Sequence, residues 1–387
     1  MKIAVVRPFF TLAKGGAERY AVELVKALID YGHGVHVFAH QWDRPEEERV
    51  VYHRVAMVRK PAWLRVLSFH WNLRRCLVAT DYDIVLGMTP FAPQVVYWLG
   101  DGLYRVWSGV MWPVKPVRWL MCAKRAVMLV NLWLERRIMD GGAAHFVANS
   151  TLVKQQVVAH YNVPEERISV IHHGVDPRRF HPGVREQWRS IIRGGLGIAD
   201  TDIVLLFAAH NFARKGLDVT LVALSRISRQ DNRVRLLVVG RGRISRFRRL
   251  AKLLGIAPRV TFIGSTNVIE RYYAAADVFV LPTRYDPFAV VCLEAMACGL
   301  PVITTRMNGA AELIDEGQNG FSLDRRGVET QLTDRIRLLV DTGRYMEMGV
   351  RAAHRARALS VQHHVDAMVS LLGRVAAECS RKRSAIG

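Results

Sequence analysis

Acidic residues and cysteines are both scarce in this sequence. The 387 residues include 34 aspartates and glutamates against 55 lysines and arginines, and the formal net charge is +21. This excess favours an anionic partner, and composition alone does not choose among nucleic acid, an acidic membrane surface and a phosphorylated substrate. The five cysteines form no C-x-x-C pair and no His/Cys cluster with metal spacing. We therefore expect reduced thiols in a cytosolic protein rather than disulfides or a zinc motif.

Long apolar runs are missing as well. The opening residues MKIAVV are followed at once by Arg7 and Pro8, so we expect no signal peptide. The uncharged run from Ala126 to Leu134 is much shorter than the roughly 20 residues that a transmembrane helix needs. Half of the residues are hydrophobic and no polar low-complexity tract occurs. These features predict a folded protein that does not span a membrane, with disorder only in the tip from Ser380 to Gly387.

Short β-branched runs alternate with helical patterns along the whole chain. One series begins at Ile3–Val6 and a second begins at Ile203–Ala209, after the Gly- and Pro-rich stretch His173–Pro182. Continuous apolar strands between helices are typical of parallel sheets covered on both faces. We predict an α/β protein with two doubly wound, Rossmann-like domains at 1–174 and 175–359. The segment 360–387 is predicted to be a helix that packs back on the body, followed by a basic tail.

Candidate site residues follow predicted strands, where doubly wound sheets bind their ligands. In the first domain, Gly15 and Gly16 lie between the first strand and first helix, and Asp101 follows the strand Val95–Trp98. Glycines there allow a phosphate to approach the backbone, and an acid at a strand tip can orient or deprotonate a substrate hydroxyl. An ordinary turn is the alternative interpretation of each feature, and taken alone each feature favours it. The Gly15-Gly16 pair is not part of a complete G-x-G-x-x-G motif, which argues against a dinucleotide-binding site.

The second domain has a basic loop after its first strand. Arg214 and Lys215 stand in NFARKGLD, between the strand Ile203–Ala209 and a helical pattern. Adjacent cations at this edge can neutralise a diphosphate as it leaves, although most Arg-Lys pairs are surface charges.

An acidic loop and helix start follow the strand Val278–Leu281. Asp286 lies in the loop, and Glu294 lies about one turn into the helix that Pro287 precedes. The free N–H groups of Ala289, Val290 and Val291 are expected to face an anion, and both acids can accept hydrogen bonds from sugar hydroxyls. Two solvated acids around a helix start are the alternative interpretation.

The segment 104–137 combines tryptophans with basic residues. Glu135 is its single acid among Trp107, Trp112, Trp119, Trp133, Arg105, Lys115, Arg118, Lys124, Arg125, Arg136 and Arg137. This mixture suits the headgroup region of an anionic membrane. A solvated helix face and a single-stranded nucleic-acid surface remain the alternatives.

Taken together, these motifs resemble the retaining GT-B glycosyltransferases of family 4. The resemblance rests mainly on the motif YDPFAVVCLEAMACGLPVI at Tyr285–Ile303. It is supported by GGAER, by ANS at Ala148–Ser150, by HHGVDPRRFHP and by ARKGLD. The sequence looks closest to the lipopolysaccharide core α-glucosyltransferases, which share the Arg-Lys pair, an acid at the position of Asp101 and a basic aromatic segment. Asp286 and Ala289 stand where the family usually has Glu and Gly, which puts the identity of the donor sugar in question.

The resemblance implies a role for each matching residue. Arg214 and Lys215 would bind the donor diphosphate, Glu294 the ribose, Asp286 the donor sugar, and Gly16 would lie near the diphosphate. The expected reaction moves a hexose, glucose from UDP-glucose being the first choice, to a membrane-anchored glycolipid such as lipopolysaccharide core. No metal or other cofactor is expected, nor nucleic acid as a partner, and the expected location is the inner face of the cytoplasmic membrane. The rival functions are a non-hydrolysing sugar-nucleotide epimerase and a basic nucleic-acid-binding protein.

Overall fold

The computed structural model describes residues 1–11, 16–43, 49–78, 82–91, 94–111 and 122–384. The chain divides into two compact units, one formed by Met1–His172 together with His364–Gly387 and the other by His173–His363. Each unit is built on a parallel β-sheet with helices against its faces. Both are therefore Rossmann-like α/β units, as the alternation of strands and helices predicts.

The sheet of the first unit has seven strands in the order β5-β3-β1-β6-β7-β8-β9. Its interior strand β1 is buried at four of five positions, as expected for a strand covered on both faces. A separate two-stranded ladder pairs β2 with β4. The bounds are β1 Lys2–Val6, β2 Phe9–Phe10, β3 Gly34–Ala39, β4 Gln41–Trp42, β5 Val50–Arg54, β6 Ile84–Gly87, β7 Gln94–Trp98, β8 Ala143–Ala148 and β9 Ile168–Val170.

Helices pack against this first sheet, and one of them comes from the far end of the chain. Residues Met368, Leu371, Leu372 and Val375 of that last helix share a hydrophobic cluster with the first helix. A 2.8 Å hydrogen bond joins the Nε2 atom of His364 to the hydroxyl of Tyr20 in the first helix. The bounds are α1 Gly16–Asp30, α2 Ala62–Val78, α3 Tyr104–Met111, α4 Cys122–Arg137, α5 Thr151–Tyr161 and, at the chain end, α13 Val361–Ser384.

The sheet of the second unit has six strands in the order β12-β11-β10-β13-β14-β15. The strands are β10 Ile203–His210, β11 Val234–Arg241, β12 Val260–Gly264, β13 Val278–Leu281, β14 Val302–Thr305 and β15 Gly320–Leu323. The helices are α6 Val184–Gly195, α7 Leu217–Ile227, α8 Ile244–Leu253, α9 Ile269–Ala275, α10 Val290–Ala297, α11 Val328–Thr342 and α12 Tyr345–Arg357. Strands β10 and β13 are neighbours, so their carboxyl ends lie side by side.

A buried charge cluster fixes α6 to the second unit. Arg185, Arg189 and Arg193 stand at successive four-residue spacings and all contact the carboxylate of Asp277, with the Arg193 contact at 2.6 Å. Arg193 is 1% exposed and also donates to the carbonyl of Ala275. A buried charge is tolerated only when it is paired and hydrogen-bonded, as here.

The structure corrects the sequence prediction in its strands and at its last helix. Strands β2, β4, β5 and β15 were not predicted, because β2 and β4 have two residues each, only Val50 of β5 is buried, and β15 is a four-residue strand at the sheet edge. The last helix continues to Ser384, so the prediction of disorder from Ser380 is wrong as far as that residue. Apolar contacts anchor this helix as far as Cys379, and the helix continues beyond that residue into the basic segment.

Candidate functional site

The loop after β10 brings two candidate cations to the carboxyl edge of the second sheet. Lys215 is buried, at 8% exposure, and Arg214 is half-buried. The next residue, Gly216, has φ of 83°, and a Cβ atom there would lie 2.0 Å from the carbonyl oxygen of Pro282. Only glycine fits this conformation and this contact, so the loop lies directly against the end of β13. The N–H of Arg284 donates to the Arg214 carbonyl at 2.9 Å and joins the two loops.

Lys215 and Asp286 form a buried ion pair at this edge. The Asp286 residue is 5% exposed, and its backbone is held by a 2.9 Å hydrogen bond from its N–H to the Met307 carbonyl. Burial and the guanidinium of Arg214 lower the pKa of Lys215. The adjacent carboxylate acts in the opposite direction, and because its contact is direct we assign a charged pair. Sequence analysis assigned these two residues separate ligand roles and did not predict that their side chains are in contact.

A buried asparagine organises the start of α10. The Asn308 side-chain oxygen accepts hydrogen bonds from the N–H of Ala289 at 3.0 Å and of Ala310 at 3.1 Å, and its amide group donates to the Thr304 hydroxyl at 3.0 Å. The expectation of a free N–H at Ala289 is therefore wrong. The N–H groups of Val290 and Val291 belong to the first helical turn, where the helix itself supplies no acceptor.

Glu294 lies in the second turn of α10, as predicted, and is oriented by a tyrosine. The hydroxyl of Tyr273 donates to the Glu294 carboxylate at 2.8 Å. Burial and this carboxylate raise the pKa of Tyr273 well above its ordinary value, so the hydroxyl remains a donor. Glu294 is half-buried, which leaves part of the carboxylate accessible. Neither Tyr273 nor Asn308 was identified from the sequence, because both act through contacts with segments distant in the chain.

The first unit presents its own candidate residues at the carboxyl edge of its sheet. Asp101 follows β7 in an exposed turn, with 67% of its side chain accessible. The Asn149 amide donates to the Gly100 carbonyl at 3.1 Å and so supports this turn. Gly16 is the first residue of α1, while Gly15 lies outside the described residues.

The basic aromatic segment is described in part. Trp112, Trp119, Lys115 and Arg118 lie outside the described residues, as do the side chains of Lys124 and Arg125. The carboxylate of Glu135 is buried and accepts hydrogen bonds from the N–H groups of Tyr104 and Arg105. The segment's single acid therefore caps α3 and adds nothing to the outer surface, where Trp133 is 44% exposed.

Helix α2 extends this surface. The His70 ring lies 6.3 Å from the Trp133 ring, and the Arg137 guanidinium stacks 5.0 Å from the same indole. On α2, Trp63 and Trp71 are exposed. We call this group the α2/α4 surface: Trp63, Trp71, Arg74, Arg75, Leu129, Trp133, Arg136 and Arg137. Among the described helices, none combines the length and apolar character required to cross a bilayer.

The described side chains include no group of three His, Cys, Asp or Glu residues placed to share a metal ion. The candidate ligand-binding groups at the two sheet edges are cations, carboxylates and backbone N–H groups.

Two family models match the chain over adjacent regions. "Glycosyltransferase Family 4" matches residues 14–179 and "Glycosyl transferases group 1" matches residues 189–358. Several curated relatives match over about half of their own length. A mycobacterial GDP-mannose-dependent alpha-(1-6)-phosphatidylinositol monomannoside mannosyltransferase, from Mycobacterium tuberculosis, is 28% identical over 371 residues, which cover 90% of this chain and 91% of that protein.

Solved structures share the fold over nearly the whole chain. WaaG, a glycosyltransferase involved in lipopolysaccharide biosynthesis, superposes with a TM-score of 0.81 at 23% identity, covering 96% of this chain and 99% of its own. HepE from Anabaena, solved in complex with UDP-glucose, superposes with a TM-score of 0.73 at 21% identity, covering 97% of this chain and 100% of its own. Two Rossmann-like units with this order of elements match the GT-B architecture. The chain therefore belongs to the GT-B glycosyltransferases of the group 1 and family 4 type.

Proposed function

We propose that this protein transfers a hexose from a nucleoside-diphosphate sugar to a membrane-anchored glycolipid, with retention of anomeric configuration. The observation that carries the donor half is the buried Lys215–Asp286 pair at the adjoining ends of β10 and β13. The pair places a cation for the departing diphosphate next to an acid for the sugar hydroxyls. Both groups are needed at the bond between sugar and diphosphate, which breaks in the reaction. UDP-glucose is the first donor to test, and the UDP-glucose complex of HepE supports it.

Each residue at the second sheet edge has a role in this proposal. Arg214 and Lys215 stabilise the departing diphosphate, helped by the N–H groups of Val290 and Val291. Asp286 and Glu294 accept hydrogen bonds from donor hydroxyls, and Tyr273 fixes the orientation of Glu294. The cations do the work that a metal ion does in other glycosyltransferases, so the proposed reaction requires none.

The acceptor half is assigned to the first unit. Asp101 orients or deprotonates the acceptor hydroxyl, and the family resemblance supports a phosphate-binding role for the backbone at Gly15 and Gly16. The α2/α4 surface holds the protein on the inner face of the cytoplasmic membrane, since its arginines face anionic lipid and its tryptophans suit the headgroup region. The WaaG likeness and the segment 104–137 support lipopolysaccharide core as the acceptor, with a phosphatidylinositol glycolipid as the competitor suggested by the mycobacterial relative.

A panel of nucleotide sugars tests the proposed reaction. UDP-glucose, UDP-galactose and GDP-mannose are incubated with the protein, each with heptose-terminated lipopolysaccharide core or phosphatidylinositol mannoside. The products are separated by chromatography and identified by mass spectrometry and by NMR spectroscopy, which distinguishes epimers of equal mass. Glucosylated lipopolysaccharide core is the expected product. Mannosylated phosphatidylinositol mannoside would reject both specificities but keep the reaction class. A donor whose sugar is isomerised without any acceptor would instead identify an epimerase.

Vesicle flotation tests the membrane assignment. The protein is expected to float with vesicles containing anionic phospholipid and to be released by high salt, because screening removes the attraction of exposed arginines. Replacing both Trp71 and Trp133 with Ser should weaken flotation, whereas replacing the exposed Leu253 of the second unit is the matched control. Equal flotation with neutral and anionic vesicles would contradict the assignment.

A further inference from the structure

Arg7 is a buried arginine at the carboxyl end of β1, in the first unit. It is 6% exposed and follows the last strand residue directly. A guanidinium in that environment requires compensating charge and hydrogen-bond acceptors. The catalytic roles proposed above do not use this residue, and its surroundings explain why a cation is buried there.

The Arg7 side chain reaches three segments at the same sheet edge. Its Nη1 donates to the carbonyl of Met88, just after β6, at 3.0 Å. Its Nη2 lies 3.5 Å from the carboxylate of Glu18, in the first turn of α1, and 3.6 Å from the Oδ2 atom of Asp101. One guanidinium therefore links the end of β1, the start of α1 and the turn after β7.

The two carboxylates differ in accessibility. Glu18 has 21% of its side chain exposed, whereas Asp101 has 67%. Two acids share the Arg7 guanidinium, and the more accessible carboxylate is that of Asp101. Since Asp101 has one oxygen directed at Arg7 and most of its carboxylate open to solvent, the arginine restricts its orientation and leaves an oxygen for a substrate hydroxyl.

We infer that Arg7 is the positioning residue for Asp101, and that it holds the Asp101 carboxylate in the orientation that receives the acceptor hydroxyl. This inference rests on the proposed role of Asp101. Arg7 lies in the first unit with the acceptor residues, so it should affect transfer to an acceptor and leave the donor residues of the second unit unchanged. A misplacement of about 1 Å at a reacting group can lower a rate on the order of 100-fold.

The test compares Arg7→Gln and Arg7→Lys with Arg167→Gln. Gln keeps a donor for the Met88 carbonyl but removes the charge, whereas Lys keeps the charge. Arg167 is a matched control because it binds the carbonyls of Ala143 and Ala144 in the same unit and has no carboxylate partner among the residues that the structure describes. Transfer is measured with the acceptor that is glycosylated in the panel, and donor hydrolysis is measured without acceptor.

Arg7→Gln is expected to lower the kcat of transfer roughly 10- to 100-fold while donor KM and acceptor-free hydrolysis change less than about twofold. Arg7→Lys should recover part of the loss, and Arg167→Gln should match the parent. In Asp101→Asn, adding Arg7→Gln should cause little further loss, because the arginine acts through that carboxylate. Losses that multiply in the double variant, or hydrolysis that falls with transfer, would overturn the inference.

A second measurement covers the case in which Arg7→Gln unfolds. The crystal structure of Arg7→Lys should then show a changed orientation of the Asp101 side chain with the remaining fold unchanged. If Arg7→Lys transfers sugar slowly while Asp101 keeps its orientation, Arg7 does not act by positioning Asp101. The proposed function fails separately, if the parent protein transfers no sugar to any acceptor. A parent that transfers sugar, with Arg7→Gln as active as the parent, would reject only the role of Arg7.

Discussion

Replacing Lys215 with Met separates the structural role of the buried ion pair from its catalytic role. The substitution keeps most of the side-chain volume and leaves the Asp286 carboxylate, at 5% exposure, without its cation. Removing one partner of a buried pair typically costs about 3–5 kcal/mol. Protonation of the orphaned carboxyl limits the cost, because raising an ordinary aspartate pKa of about 3.9 past pH 7 takes about 4 kcal/mol.

The double variant Lys215→Met/Asp286→Asn makes the comparison decisive. Neutralising both partners removes the uncompensated charge, so most of the lost stability should return. Activity should not return, since the cation that stabilises the departing diphosphate is still missing, and loss of such a group costs roughly 100- to 1000-fold in kcat. Thermal unfolding and the kcat of donor turnover are measured for the parent, both single variants and the double variant.

With the cost between about 3 kcal/mol and the limit of about 4 kcal/mol, the expected decrease in Tm for Lys215→Met is roughly 6–16 °C at pH 7, at about 2–4 °C per kcal/mol for a domain of this size. At pH 5 the limit set by protonation falls to about 1.5 kcal/mol, so the single variant should approach the parent. A double variant that regains turnover together with its Tm would refute the catalytic role of Lys215. Equal Tm values for the parent and Lys215→Met would refute the ion pair.

Three further results are expected. Burial, with Arg74 and Arg137 nearby, lowers the pKa of His70 from 6.5 to about 4. The contribution of the neutral ring to the free energy of unfolding is therefore complete above pH 6.5 and is lost as the pH falls toward 4. In urea titrations across this range, His70→Phe should remove up to about 3 kcal/mol of the stability that is lost in acid. Gly216→Ala should lower the Tm and raise donor KM, because its φ is 83° and its Cβ would meet the Pro282 carbonyl; a Tm equal to that of Gly194→Ala, a helical glycine with open space around it, would contradict the packing. Iodoacetamide should label Cys76 and Cys379 but spare Cys292 and Cys298, since burial raises both thiol pKa values, to about 12 for Cys292; peptide mass spectrometry that finds Cys292 labelled as fast as Cys379 would disprove this.

Local sequence patterns predicted much of the second sheet edge. Apolar periodicity located the helix that contains Glu294, and the strand before Asp286 was identified by its continuous apolar run. Parallel topology then implied that the loops with Lys215 and Asp286 share an edge. The direct contact between the two was not predictable, because it depends on how closely the loop at Gly216 approaches Pro282.

Contacts between distant segments were harder to anticipate. Asn308 occupies the N–H of Ala289 from 19 residues away, and no periodicity indicates which backbone group a buried amide will bind. In the sequence, Arg7 is only the charge that ends an apolar run. Its partners Glu18 and Asp101 come from two other segments of the chain. Such residues look ordinary in a sequence because their role depends on neighbours that folding supplies.

The last helix has a consequence for the order of events on the ribosome. Met368, Leu371 and Leu372 complete the hydrophobic cluster around α1, yet the 191 residues of the second unit, His173–His363, lie between the two parts of the first unit in the chain. At the usual 5–20 residues per second, the first unit waits roughly 10–40 s after its own sheet is synthesised before this cover emerges. The second unit is continuous in the chain and can finish folding during that interval. The apolar face of α1 is thus exposed longest in the nascent protein, and a chaperone that shields it should bind before translation ends.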